Sequence, residues 1–471
     1  MSEYDLLFAA TEGMNFFCNQ NNHEELFVEF DDSAGVRKQL PVESKKFKRI
    51  LQYKTADADD KGKGLSGKIA VELIHSFFAA NGAPEAFEIC TRISGNLKTG
   101  IEYALGNDKN QSVVIDENGW TVGDAQGKFI STSLAKPQVT PCNSEKSLLF
   151  LLKRFVNMAR NDLLLFMVWL IQCFSKGTHF GLMLNAQCGS GKSTLSRMIK
   201  KILDPSHVEI CDKPAKLEDL IVYLGNSHLV CIDNVGIISK AESDLLCGAI
   251  TGTHSVKRSL FTDSDIAICS LHNVLVVNGI CTIPQESDLA ERFLVLELQK
   301  ITGDKLLTDE ELWEEFEKTL PYILGAIFDT LSRAIVIYNK MEKPQKLHRM
   351  AVAHMEMSAI AEALGVSAEE FEKLLWENVQ KMNVLRGDSP VVEAVKEFMS
   401  RTGAKKKESG TSSQMYLNIR QNYSGDKNLL PRSASAFSKK INLEYNALRA
   451  AGITVSIVSG AQASMMTISR K

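Results

Sequence analysis

Lys192 stands in the run Ala186-Gln187-Cys188-Gly189-Ser190-Gly191-Lys192-Ser193-Thr194, with glycines on both sides of Ser190 and two hydroxyl residues behind the lysine. Those residue types at that spacing suit phosphate chemistry. Backbone N–H groups of a Gly-rich turn can cradle a β-phosphate, Lys192 can neutralise β/γ oxygens, and the Ser193 hydroxyl can ligate Mg²⁺. The first position of the usual G-x-x-x-x-G-K-[ST] spacing is Ala186, where a methyl is accommodated if φ is negative. Gly189 and Gly191 stand where the backbone must approach phosphate closely.

Three further positions extend that chemistry. The run Leu229-Val-Cys-Ile-Asp233-Asn234 ends in a carboxylate that can hold Mg²⁺ beside Ser193. Asn234 follows where a second acid would orient the attacking water; an amide positions water but cannot accept its proton, so either hydrolysis is slow or a nearby acid such as Asp244 or Glu242 substitutes. Asn278 closes the run Val274-Leu-Val-Val-Asn278 and is placed to reach toward a γ-phosphate. Arg292, just ahead of the apolar run 293–296, is a candidate finger for a neighbouring subunit's nucleotide, because its fixed fork matches phosphate oxygens.

These residues need particular elements to position them. The apolar run 180–185 predicts a strand delivering the chain to the Gly-rich turn, and Leu195-Ser-Arg-Met-Ile-Lys-Lys-Ile-Leu203 predicts the helix that follows. Short apolar runs at 227–233 and 273–278 predict buried strands of a parallel sheet. Between them, two β-prone runs at 254–261 and 266–271 flank a polar turn and predict a hairpin. Its turn carries Asp263 and Asp265, which repel phosphate, so contact with a polyanion is expected from Lys257 and Arg258 instead.

The series G-S-G-K-S-T, V-C-I-D-N, V-V-N-G-I and D-L-A-E-R-F resembles the AAA+ ATPase half of phage, plasmid and poxvirus-type primase-helicases, the superfamily 3 group, over residues 66–471. The resemblance implies a ring, hexameric in form, that hydrolyses ATP between subunits and threads DNA through its centre with the hairpin projecting into the pore. Asn234 departs from the pattern at the second acid, and Ala186 at the first glycine.

The chain has 471 residues, 44% of them hydrophobic, and a net charge of −3. Its ten cysteines contain no C-x-x-C, which predicts a reduced cytoplasmic protein without a disulfide frame. No histidine pairing predicts zinc. The apolar stretch 163–171 is too short for a membrane span, no other segment is expected to be long enough, and the acidic N-terminus is not expected to be a signal peptide. Charge is uneven: residues 386–471 hold 14 Lys/Arg against 6 Asp/Glu, leaving 40 and 51 elsewhere. The tail is therefore expected to face a polyanion. Helices at 390–398, 411–423 and 433–451, followed by β-prone runs at 453–458 and 464–469, predict a winged-helix pattern with Lys439, Lys440 and Arg449 on its third helix. Winged helices also dock proteins.

Residues 55–64 form a polar run containing Asp57, Asp59 and Asp60, expected to be a solvated linker; with no second acidic constellation, no primase active site is predicted in this chain. The expected fold class is α/β. A small N-terminal α+β module covers 1–141, an AAA+ P-loop core with a parallel sheet 142–307, a helical lid 308–385 and a winged-helix-like domain 386–471. The expected function is an ATP- and Mg²⁺-dependent motor of a mobile element. Its partners would be single-stranded or forked DNA, further copies of itself and a separate primase or replication partner. The alternative is an AAA+ switch that remodels or senses a protein partner.

Overall fold

The computed structural model describes residues 2–186, 190–236, 238–258, 266–279, 286–300, 308–386, 389–401, 407–458 and 464–470. The chain is mixed α/β and divides into two compact units. One comprises Met1–Gly236, Asp244–Ile280 and Leu296–Leu375; the other comprises Ile237–Ser243, Cys281–Val295 and Trp376–Lys471.

The first unit begins with a four-stranded sheet ordered Arg37–Pro41, Asn22–Asp31, Asn15–Asn19, Ala86–Phe87. Helices Glu3–Thr11, Lys45–Ala58 and Gly67–Asn81 close it, burying Leu7, Val28, Phe47, Leu51 and Ile74 in one core. Serine starts each of these helices: Ser2 accepts from the Asp5 N–H, Ser44 from the Phe47 N–H and Ser66 from the Ile69 N–H, each satisfying an orphan donor. Residues 55–64, expected to be a linker, are fastened instead. The helix runs through Thr55, whose buried hydroxyl donates to the Leu51 carbonyl at 2.8 Å and accepts from the Leu65 N–H at 3.0 Å. Asp59 then accepts from the amides of Lys61, Lys63 and Gly64. Composition alone cannot tell such an Asp-nucleated turn from a free polar loop.

A second sheet of four antiparallel strands, from Ile93–Asn96 to Gly119–Asp124, packs on the long helix Asp309–Tyr338. There Trp120 donates to Asp329 at 2.8 Å and Ser332 to the Asp116 carbonyl at 2.6 Å. Thr308 and Glu311 form a capping box at this helix's start. By length and composition this helix could cross a membrane, so the expectation that no segment is long enough was wrong; 67% of its most apolar window is buried within the protein. The apolar stretch lies wholly after Pro321 and is interrupted by Asp329 and Arg333, so it does not read in sequence as one unbroken apolar run. At Gly325 the chain passes so close that an added Cβ would lie 1.9 Å from the Cys142 carbonyl oxygen.

The first unit also holds a parallel sheet. Its strands are ordered Cys211–Asp212, Leu229–Asp233, Val274–Asn278, Gly181–Asn185. Four consecutive residues in each of Gly181–Asn185, Leu229–Asp233 and Val274–Asn278 are buried, as strands covered on both faces require. The expected hairpin is present: Thr253–Arg258 pairs antiparallel with Ile266–Leu271.

In the second unit, helices Pro390–Arg401, Ser412–Asn422, Ala434–Leu443 and Tyr445–Ala450 share a core with a three-stranded sheet. The sheet is ordered Lys407–Thr411, Met465–Arg470, Ile453–Val458. The single helix expected at 433–451 is two, parted at Glu444, and the strand Lys407–Thr411 was not anticipated. Lys407-Glu-Ser-Gly has no apolar alternation, and it is held by pairing with Met465–Arg470 rather than by burial.

Candidate functional site

The site is built at the carboxyl ends of the parallel strands, the edge where such sheets present ligand-binding loops. Strand Gly181–Asn185 delivers the chain to the turn, and helix Lys192–Leu203 leaves it. The helix has an apolar face of Leu195, Met198, Ile199 and Ile202 packed against the sheet, which aims its N-terminus at the strand ends. Gly191 caps that N-terminus in the left-handed region, φ 78°, which a side chain disfavours. Gln187, Cys188 and Gly189 lie outside the described residues. Lys192 is half-buried and donates its Nζ to the Ala186 carbonyl at 2.7 Å; Ser190 is buried and Thr194 half-buried.

Ser193 and Asp233 meet. The Ser193 hydroxyl donates to Asp233 Oδ2 at 2.5 Å, although the two residues are 40 positions apart. This pairs a hydroxyl with a carboxylate oxygen at the mouth of a helix N-terminus, a donor set suited to a hard divalent cation beside an anion. No group of three or more His, Cys, Asp or Glu side chains able to hold a metal occurs among the described residues. A cation held here would therefore take most of its ligands from water and from the anion itself.

Asn278 ends the strand that lies between those of Asp233 and the turn. It is buried, and its Nδ2 donates to Ser196 Oγ at 2.7 Å, one helical turn behind Lys192. Its Oδ1 has no hydrogen-bond partner among the described residues. Asn234 is exposed and has φ 52°; its backbone N–H donates to Asp233 Oδ1 and its side-chain amide to Asp212 Oδ1. Asp212 is the acid that sequence reasoning missed. It is aligned with Asp233 in the register of the two neighbouring strands, and the two-residue strand Cys211–Asp212 carries no periodicity to announce it. Of the two acids expected near Asn234, Glu242 accepts from the Ser239 N–H at its own helix's start and Asp244 is exposed.

Beneath the helix lies a buried ionic network that was also missed. Lys200 is fully buried and donates to Asp204 at 2.8 Å and to the Leu229 carbonyl at 2.6 Å. Asp204 also accepts from the N–H groups of His228 and Leu229, and from Arg92 Nε at 3.4 Å. Arg92 is 2% exposed and spends its remaining donors on the carbonyls of Ala104, Leu105, Lys136 and Pro205. Burial alone would raise the Asp204 carboxyl, but the charges of Lys200, Arg92 and His228 and the Lys200 hydrogen bond hold it well below the usual carboxylate range. The network ties the sheet's second strand and helix Lys192–Leu203 to residues before position 140.

Arg292 belongs to the second unit. Its guanidinium is mostly buried and bonded to Asp288, through both the carboxylate and the backbone carbonyl at 2.8 Å. Lys257 and Arg258 sit on the hairpin's first strand, opposite Ala267 and Ile266, and their side chains lie outside the described residues. Lys439 and Arg449 are exposed, whereas Lys440 pairs with buried Glu444 at 3.4 Å.

No curated protein matches the sequence. Among solved structures the chain is similar to the A form apo structure of the NrS-1 C-terminal region, at 13% identity and a TM-score of 0.43, with 100% of both chains covered. Two further apo structures of that region match at 12% identity, with TM-scores of 0.40 and 0.39, covering 100% of this chain and 98% of theirs. Residues 148–372, a little under half of the chain, match the family model described as the actinomycete integrative conjugative element replication protein.

Proposed function

We propose that the chain is an ATP-hydrolysing motor that acts on DNA during the replication of a mobile element. The observation that carries this reading is the Ser193–Asp233 contact at the head of helix Lys192–Leu203. A lysine-bearing turn, a hydroxyl and a strand-end carboxylate converge on one anion-ready helix terminus. The match of residues 148–372 to a replication protein family supports the DNA-replication setting.

In this reading the backbone of 186–194 wraps the phosphates of ATP, and Lys192 leaves the Ala186 carbonyl to neutralise the β/γ oxygens. Ser193 and Asp233 would hold Mg²⁺, which supplies charge neutralisation at the transferred phosphoryl group. Asn278 has a spare buried oxygen with which to orient water. Arg292 serves a neighbouring subunit once it releases Asp288, so the working form is a ring. The second unit, with its helices and three-stranded sheet, acts as a winged-helix-like DNA contact through Lys439 and Arg449, and Lys257 and Arg258 contact DNA from the hairpin.

The test is ATP turnover measured with and without single-stranded DNA on a sized oligomer, using Lys192→Ala and Arg292→Ala subunits alone and mixed. Each variant alone should be inactive, and mixtures should regain activity where an intact turn meets an intact arginine. Wild-type turnover in Lys192→Ala would remove the central claim; a monomer, or mixtures without recovery, would remove the ring. One observation favours a second reading: Asn234, where a base would stand, is an amide already engaged by Asp212. That favours a slow switch which remodels a protein partner, and it predicts turnover indifferent to DNA.

A further inference from the structure

The helix Lys45–Ala58 has a second face that its own domain does not use. Phe47, Leu51 and Thr55 are turned into the core. On the opposite side Lys45, Lys46, Arg49, Gln52, Tyr53 and Lys54 are exposed. Lys45, Arg49 and Tyr53 follow at i+4 steps, and Lys46 lies three residues before Arg49, so these four side chains share one surface. The turn held by Asp59 continues the positive charge with exposed Lys61 and Lys63. Residues 45–68 hold eight Lys/Arg against three Asp/Glu, in a chain whose net charge is −3.

Two features set this face apart from a merely solvated one. Basic residues beside it find acids: Lys48 pairs with Glu43 at 2.5 Å and Lys68 with Glu72 at 3.7 Å. Among the described residues Lys45, Lys46, Arg49 and Lys54 have no carboxylate partner. In their midst Tyr53 is 73% exposed, so a large aromatic ring stands in water surrounded by cations. Cations spaced along a helix suit a phosphate backbone, and a free aromatic face suits an unstacked base, which a duplex does not offer. Asp57 and Asp60 bound the surface at its carboxyl end, confining the positive stretch to the first three turns and the lysine turn.

We infer that this face of the N-terminal module binds single-stranded DNA, with Tyr53 stacking on a base and Lys45, Lys46, Arg49 and Lys54 contacting phosphates. It is a separate contact from those assigned to the hairpin and the second unit, and it stands whether or not the chain hydrolyses ATP.

The experiment is fluorescence anisotropy of a labelled oligothymidylate titrated with the full chain at several salt concentrations. Lys45→Ala/Arg49→Ala should weaken binding and lower the log–log salt slope by about 1.4, at about 0.7 per phosphate contact on a single strand. Tyr53→Ala should cost about 5- to 150-fold in affinity, from roughly 1–3 kcal/mol per stacked base, while Tyr53→Phe keeps it within about twofold. Lys68→Ala, already paired, should change neither affinity nor slope. An oligonucleotide carrying 5-iodouracil should photo-crosslink to the peptide containing Tyr53. The inference is overturned by an unchanged slope in the double variant, by Tyr53→Ala binding as wild type, or by crosslinks that all fall elsewhere. Duplex DNA or phosphatidylserine vesicles bound with the same dependence on Tyr53 would overturn it equally.

Discussion

Asn234 donates its side-chain amide to Asp212 at 3.0 Å from a backbone held at φ 52°. Asparagine tolerates that left-handed conformation better than most residues, because its short polar side chain can bond locally. The amide is therefore explained by the turn it occupies and by the acid beside it. Asn234→Glu should strain the backbone, at a cost of roughly 1–2 kcal/mol, and set a carboxylate against Asp212. Turnover should fall rather than rise, and a parallel drop in the urea midpoint would separate strain from chemistry. A faster enzyme would show that the missing acid was limiting.

Asp212 accepts from the Asn234 amide and, in the proposed reading, would be the acid that takes a proton there. Asp212→Asn keeps the shape and the hydrogen-bonding reach but removes the charge. ATP turnover should drop by about 10²- to 10⁴-fold, the usual worth of general base catalysis, with nucleotide affinity nearly unchanged. Single-turnover kinetics beside equilibrium binding checks this, and an unaltered rate would place the base elsewhere.

Arg92 is fully committed, to four carbonyl oxygens and a buried carboxylate. Arg92→Met should destabilise the chain by about 3–5 kcal/mol, because Asp204 and Lys200 stay buried without their full complement. Urea unfolding measures it. Lys192→Ala should cost less than about 1 kcal/mol, losing one half-exposed hydrogen bond, and yet abolish turnover.

Glu356 gives a pH dependence. Burial raises its carboxyl from 4.5 to about 7, against the lowering effect of hydrogen bonds from Ser175, Gln172 and the backbone at Leu97. A carboxyl raised in the folded state is stabilising while protonated, and this contribution is lost as pH climbs from the unfolded value through about 7. Unfolding free energy should therefore fall by on the order of 3 kcal/mol between pH 4.5 and 8 on this account. Glu356→Gln should flatten that fall, and urea midpoints at pH 5, 6.5 and 8 compare the two. Identical slopes would show that another group carries it.

The strand before the Gly-rich run and the helix after it were plain in the sequence because an apolar run and a 3.6-residue periodicity flank closely spaced glycines within about 25 residues. The strands ending at Asp233 and Asn278 were legible for the same reason, being short, wholly apolar and bounded by polar residues. What stayed hidden depends on distant partners. Asp212 acquires its place only by register with Asp233 across a two-residue strand. Lys200 reads as one more lysine on a helix until Asp204 and the Leu229 carbonyl enclose it. Tyr53 and its neighbours carry no signal in the sequence, since exposure is decided by which face the remainder of the module covers.

The hairpin Thr253–Arg258/Ile266–Leu271 begins and ends at a single doorway. Thr253 and Leu271 are direct cross-strand partners, so the entry and exit points stand only about 5 Å apart. Just inside, the Asn273 N–H donates to the Ala249 carbonyl at 2.8 Å, latching the helix before the doorway to the strand after it. Closure of the framework at this point thus owes nothing to the number or kind of residues that join the two strands. The joining segment can be lengthened while the sheet edge carrying Asp233 and Asn278 keeps its alignment, since each doubling of a flexible loop costs only about 0.6 kcal/mol. Lineages, or protein engineers, are free to alter that segment without rebuilding the sheet.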